Sequence, residues 1–390
     1  MKRLGFVLVV VLLAVGFALA GPTAKASAAE EEIKIGALLD FTGAIAFIGP
    51  LFKNGIEYAF DEVNWTVAGK KIKLIAEDTA SDPTVALEKT KKLVEMDKVK
   101  IILGPLMGDQ HMSIAPYLKG KKVITATFYC GDSELIPYGT WLIYPTTLVG
   151  LCLPVGYYAH DLGYKTMVTL GADYAGGRGF VKGIQIGFKE KGGEVIQELW
   201  TPVGTADYGP AISNIKKEAD CLAYFLAGPT EQTRFIAQYR EFGVKTPLLG
   251  TTMDADLPAD LLKELGDKVR GVQGQCLYFA QMDTPANKAF QEGMTKKYGN
   301  PPGGLENNSY VLAKTAIAGL QATNGDDSFD KLRPAILASK LDTPQGPLSW
   351  SPEGVAIVNL YIGEAQEKDG KWLWVPVKTY ENVTDPTIKK

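Results

Sequence analysis

Histidine is nearly absent from this chain of 390 residues: His111 and His160 are the only two, beside four cysteines. So few imidazoles exclude a His-rich metal centre and leave little room for a His-based catalytic triad. No G-x-S-x-G, H-E-x-x-H, C-x-x-C or G-x-x-x-x-G-K-[ST] string occurs. Gly177-Arg178-Gly179 with Gly183 loosely resembles a dinucleotide-binding turn but lacks the G-x-G-x-x-G spacing. A block of Lys and Arg is missing too. The 41 basic and 44 acidic residues leave a net charge of -3, a poor complement for nucleic acid or an anionic membrane. There is no repeat with a period of about 20–50 residues and no low-complexity tract. What is present is globular: 46% hydrophobic and 22% charged residues. At about 150 residues per domain, the length suggests two or three domains.

Only one stretch, Leu4 to Ala20, is apolar for long enough to matter to a membrane. Lys2 and Arg3 precede it, and Ala26-Ser27-Ala28 follows as an A-x-A cleavage site. This reads as a cleavable export signal over residues 1–28 and a periplasmic mature protein. The alternative, a retained anchor, is disfavoured because the run is marginal against the ~20 residues needed to span. No cysteine lies nearby, so no lipoprotein anchor can form there. Removing the segment takes away Lys2, Arg3 and Lys25 and no acid, making the remainder more acidic still. Export permits disulfides, but Cys130, Cys152, Cys221 and Cys276 allow more than one pairing. Cys221 and Cys276 fall in strand-like runs and read equally well as small buried hydrophobes.

From Ile33 onward, strands and helices alternate. Strands are expected at 33–39, 72–78, 100–105 and 122–128. Between the first two, Phe52, Ile56, Ala59, Phe60 and Val63 recur at helical spacing. Asp82-Pro83 reads as an N-cap followed by the first residue of a helix, and another helix is expected near 110–119. A second run of the same kind starts near Leu148, with helices at 151–162, 178–191, 209–218 and 230–242. Two long helical patterns follow at 286–298 and 306–322, and the chain ends in β-rich segments. This rhythm predicts an α/β fold with parallel sheets covered by helices. No single Pro/Gly-rich linker separates the halves, so the chain is expected to pass between them more than once.

Ligands of open α/β sheets sit beyond the carboxyl ends of the strands. Six loops there carry glycine, aromatic and polar residues: 40–49, 104–111, 127–132, 173–178, 228–230 and 250–254. Glycines let backbone N–H groups approach an anion, and aromatics supply apolar walls. Each feature also has a plainer reading. Phe47, Phe128 and Tyr129 suit a core, Asp109 and Asp132 suit helix caps, His111 suits a surface or capping position, and Arg178 suits a solvated helix face.

In their order, IKIGALLDFTGAIAFIG, the EDTASDP segment at 77–83, ILGPLMG, DYAGGRGFVKG and TPQGPLSWSPEG resemble the type I periplasmic solute-binding proteins of ABC importers, in the leucine/isoleucine/valine-binding branch. The similarity runs from about Ile33 to Val377. It implies two doubly wound α/β lobes joined by three crossings near 144–149, 275–282 and 346–352. Lobe one would comprise 33–147 plus 280–348, lobe two 148–279 plus 349–383, with 384–390 as a tail. The implied ligand-binding set is Phe47, Ile48, Met107, Gly108, Asp109, Phe128, Tyr129, Cys130, Tyr174, Arg178, Gly228, Thr252, Met253 and Asp254. Where the family often has a Ser or Thr for the ligand carboxylate, this chain has Gly108. Cys130 or Gly131 stands at the next family threonine. The aromatic of the second lobe is kept as Tyr174. The acid that pairs a ligand ammonium would fall in Thr251–Asp254, where Asp254 is the only acid. These departures, with the aromatic residues nearby, leave an amino acid and an aromatic acid both open as ligand. Arg178, at a helix start, would pair a carboxylate.

The resemblance implies a non-enzymatic, monomeric protein that captures a small organic carboxylate in an interlobe cleft by hinge closure and delivers it to a membrane permease. No cofactor, metal or nucleic acid is implied. The alternative is an exported α/β hydrolase-type enzyme, which the missing nucleophile–base motif and the scarcity of histidine argue against.

Overall fold

Ile33 and Ile35 alternate with Lys34 and Gly36, after which the run is wholly apolar to Leu39. In the computed structural model, which describes residues 31–129 and 131–388, this run is strand β1 (Glu32–Leu39), buried from Ile35 onward. The expected export signal and Cys130 lie outside the described residues.

The chain continues through α1 (Ile48–Asp61), β2 (Thr66–Val67), β3 (Lys70–Asp78), α2 (Pro83–Lys91), β4 (Ile101–Leu103), α3 (Gly108–Leu118), β5 (Ile124–Ala126) and β6 (Trp141–Leu142). Its sheet runs β2-β3-β1-β4-β5-β6. All pairings are parallel except that of β2 with β3. Helix α1 buries Phe52, Ile56, Ala59 and Phe60, the face expected from the 3.6-residue period. Asp82 caps α2, accepting from the Thr84 and Val85 amides at 2.7 and 2.9 Å with Pro83 in the first turn.

A second run follows: α4 (Leu148–Asp161), β7 (Thr166–Ala172), α5 (Ala175–Glu190), β8 (Glu194–Thr201), α6 (Gly209–Ser213), β9 (Cys221–Phe225), α7 (Pro229–Glu241), β10 (Leu248–Gly250), α8 (Met253–Asp256), α9 (Ala259–Leu265) and β11 (Gln273–Cys276). Glycines bring α4 and α5 together: a Cβ on Gly183 would lie 2.5 Å from the Val149 carbonyl oxygen. The chain then forms α10 (Pro285–Tyr298), α11 (Gly304–Ala322) and α12 (Phe329–Ala338). These return to the first lobe, where Tyr310 and Lys314 of α11 bond Glu62 at 2.9 and 2.8 Å and Lys297 of α10 pairs with Asp61.

The last strands are β12 (Leu341–Thr343), β13 (Gly346–Trp350), β14 (Ala356–Lys368) and β15 (Lys371–Val383). They complete a second sheet ordered β12-β13-β14-β11-β10-β9-β7-β8, with β15 on β14. The fold is thus two α/β lobes, and the chain passes between them at 143–147, at 277–284 and just before Leu341. The third passage precedes the expected 346–352 because the hairpin closed by Thr343 and Gly346 is already bonded into the second sheet. One apolar cluster runs from Phe52 and Phe60 through Tyr144, Leu277 and Trp350 to Leu153 and Phe188.

Beyond β15 the chain turns back to the first lobe. Asp385 is buried and accepts from the Thr147 hydroxyl at 2.5 Å and from the Thr387 amide and hydroxyl at 2.7 and 2.6 Å. Ile388 packs against the first-lobe cluster that contains Leu38, Ile102 and Leu135. Cys152, Cys221 and Cys276 are buried, and Cys221 and Cys276 are free thiols. Among the described residues, no helix is long and apolar enough to cross a membrane.

Candidate ligand-binding site

Parallel strands put the six glycine- and aromatic-bearing loops at the carboxyl edges of the two sheets. In the first lobe, two aspartates hold those loops. Asp78 accepts from the amides of Phe41, Thr42 and Ala80 at 2.9, 3.2 and 2.9 Å and from the Thr42 hydroxyl at 2.7 Å. Burial pushes its pKa up, but these bonds outweigh it and hold the carboxyl below the usual range. Asp40 accepts from the Thr79 hydroxyl, the Ser81 amide and Gln110 Nε2 at 2.7, 2.9 and 3.1 Å. The loop after β1 is thereby tied to the start of α3.

On this frame Phe47 is 57% exposed while Ile48 is buried. Met107 is half-buried at the N-cap of α3, and Gly108 and Asp109 are exposed. Asp109 accepts from the Gln110 amide at 2.8 Å. His111 is buried, which corrects the expectation of a surface or capping residue. Its Nε2 donates to the Pro105 carbonyl at 2.9 Å, and burial lowers its pKa to about 4, so the ring is neutral and braces the Gly-Pro-Leu turn. Phe128 is fully buried and stacks on Phe52 with ring centroids 4.3 Å apart. The Tyr129 amide donates to Asn308 Oδ1 at 3.1 Å. Asp132 was read as a cap, yet its side chain makes no capping bond.

In the second lobe, Tyr174 is 40% exposed and stands 6.3 Å from the ring of Phe225, which stacks on Phe180 at 4.1 Å. Arg178 lies 4.5 Å over the Trp200 ring, and its Nη2 donates to Asp173 at 2.5 Å. Gly228 takes φ 85° immediately before Pro229 and begins α7, a conformation that favours glycine. Met253 is buried in the second-lobe core. Thr252 is left-handed, with φ 56°, and its hydroxyl donates to Asp256 at 2.5 Å.

Asp254 links the lobes. It accepts from the Leu277 and Tyr278 amides at 2.9 and 3.2 Å, and the Tyr129 side chain of the first lobe stands near enough to favour its charged form. A Cβ on Gly304 at the start of α11 would lie 2.6 Å from Asp254 Oδ2. Burial is the dominant influence and raises the Asp254 pKa to about 6 against the pull of these bonds. Asp256, bonded also by Gln232 at 3.2 Å, is pushed up to about 7 by burial, with Asp254 adding to the rise.

Residues 32–371 match the family model described as periplasmic binding protein. The chain belongs to the periplasmic binding protein family. A Leu/Ile/Val-binding protein homolog 6 from Brucella melitensis is 27% identical over 94% of this chain and 96% of that protein. An ABC transporter substrate-binding protein from Sphaerobacter thermophilus superposes with a TM-score of 0.86 at 28% identity, covering 91% of this chain and 99% of that one. A solute binding protein of an ABC transporter from Rhodopseudomonas palustris BisB5, solved with 3,4-dihydroxybenzoic acid, gives 0.82 at 27% identity over 92% and 99%.

Among the expected residues, the fold brings Tyr129 and Asp254 into contact across the lobes, while the Phe128 ring and Met253 face the cores. Gln232, Asp256 and Asn308 bond residues of these loops, and Asp132 lies beside Gly108, yet none of the four was among the expected site residues. Nothing in the string Asp254-Ala255-Asp256 separates an enclosed acid from a cap, and Asn308 comes from a helix about 180 residues along the chain from Tyr129.

Proposed function

We propose that this protein is the periplasmic solute-binding component of an ABC importer, and that its ligand is a small aromatic carboxylic acid. Family membership supports the first part, with relatives that are themselves substrate-binding proteins of ABC transporters. The choice of ligand rests on Asp254. At the position where an acid would pair the ammonium of an amino acid, each Asp254 oxygen already accepts a backbone amide, from Leu277 and from Tyr278. An ammonium there would share a carboxylate already bonded to amides of the second passage and made harder to ionise by burial, a weaker partner than a free aspartate. Tyr174 and Phe225 would flank an aromatic ring.

Arg178 is the proposed carboxylate partner. Only its Nη2 is taken by Asp173, so further donors of the guanidinium remain for a ligand. Delivery to a membrane permease and a monomeric state complete the reading.

A thermal-shift screen of benzoates, phenylpropanoid acids and amino acids tests it, since a ligand of the folded state raises the melting temperature. Aromatic acids are expected to stabilise, and leucine and phenylalanine are not. With the best acid, Arg178→Ala is expected to weaken binding about tenfold, near 1.4 kcal/mol. That is less than a fully buried pair would lose, because Asp173 competes and the side chain is half exposed. Calorimetry within about threefold of wild type removes Arg178 from the site.

A further inference from the structure

Asp132 opens the loop after Gly131 at the carboxyl end of the first sheet, half-buried and with no hydrogen-bond or ion-pair partner for its side chain among the described residues. It faces the first residue of α3: a Cβ on Gly108 would lie 3.1 Å from Asp132 Oδ2. A side chain at position 108 would therefore crowd this carboxylate, and glycine leaves it room. The other acids of the first-lobe loops already accept protein donors: Asp40 three bonds on Oδ1, Asp78 four over both oxygens, and Asp109 one from the Gln110 amide. Burial, with the charge of Glu134 adding to it, raises the Asp132 pKa above the usual range.

An acceptor with spare capacity at the lip of a carboxylate-binding cleft repels the ligand's own carboxylate and attracts a donor. We propose that Asp132 contacts the ligand and selects, among aromatic acids, those that carry a ring hydroxyl. The phenolic O–H donates to the carboxylate of Asp132 in a charge-assisted bond. The ligand's carboxylate then lies at the opposite end of the ring, away from Asp132. This rests on the reading of the ligand as an aromatic acid.

Calorimetry with benzoate, 3-hydroxybenzoate, 4-hydroxybenzoate and 3,4-dihydroxybenzoate tests it on the wild type, Asp132→Asn and Asp132→Ala. The wild type is expected to bind at least one hydroxybenzoate about tenfold or more tighter than benzoate. Asp132→Ala is expected to abolish that preference while binding benzoate no more weakly, and Asp132→Asn, which keeps an acceptor, to fall between. Neither variant is expected to melt below the wild type without ligand, since each removes an unpaired charge. Equal wild-type affinities for benzoate and the hydroxybenzoates, or a preference that survives Asp132→Ala, overturns the role of Asp132 and leaves the aromatic reading intact. If amino acids bind and no benzoate does, the aromatic reading fails and the selection by Asp132 fails with it.

Discussion

Asp256 and Asp254 are carboxylates that folding makes harder to ionise, with pKa values pushed up to about 7 and about 6 from 3.8. Between these limits the folded state holds protons that the unfolded chain has released. The stability they confer is therefore full at low pH and is lost as pH rises through the folded values. His111 works in the other direction: its pKa falls from 6.5 to about 4, so its stability is lost as pH drops through that window. Above pH 6.5 the histidine no longer contributes, and Asp256 still titrates. Thermal melts between pH 6.5 and 8 should thus decline for the wild type and be flatter for Asp256→Asn. The asparagine variant gains on the order of 1 kcal/mol relative to wild type across that range. Parallel curves would show that Asp256 is not ionising in the fold. No local pattern marks Asp256 as different from the exposed Asp260 four residues on. Its enclosure comes from Thr252 and Gln232, on separate elements.

At the scale of elements, the strand–helix alternation was legible wherever a local rule applied. Asp82-Pro83 starts a helix, and the face of α1 follows its period. The expected helix at 209–218 shortens to Gly209–Ser213, and α12 emerges despite Pro334 within it. In α12 the burial of Leu332 and Ile336, and of Ile336 against Gly319 of α11, outweighs propensity. The C-terminal segment is the clearest departure from sequence pattern. Read as a tail, it is a strap from β15 back across the first passage to the first-lobe cluster. Thr147 is at once the N-cap of α4, accepting from the Gly150 amide at 3.0 Å, and the donor to Asp385. Asp385→Ala leaves a buried hydroxyl without its acceptor and is expected to cost about 1–3 kcal/mol in chemical denaturation. Thr147→Val should cost a similar amount, and the double variant less than the sum, because the two share one bond. A loss under about 0.3 kcal/mol for both single variants would mean that the strap does not hold the hinge.

For the molecule as a whole, three passages and no single linker join the two lobes, and closure of the lobes as bodies about this short hinge is the motion expected of this class of protein. Asp254, bonded to the hinge amides of Leu277 and Tyr278 and close to Tyr129 of the first lobe, is placed to respond to such closure. Small-angle scattering is expected to give a smaller radius of gyration at saturating ligand, with a monomer's mass with and without it. An unchanged profile at saturation would argue against closure, and a stable dimer at micromolar concentration against the monomer.

The order of motifs along the chain was enough to determine the α/β class, the two-lobed architecture and the family, because turns, caps and hydrophobic periods are local. It also placed the six loops at strand ends, since parallel strands must be followed by such loops. Which side chains in those loops remain free was decided only by tertiary structure. Asp254 is occupied by amides of the hinge and Asp40 by residues 39–70 positions away, while Asp132 lies beside Gly108 with no donor to its side chain among the described residues. The physical reason is that hydrogen-bond saturation and desolvation depend on partners brought in from other elements, and no spacing within a loop records them.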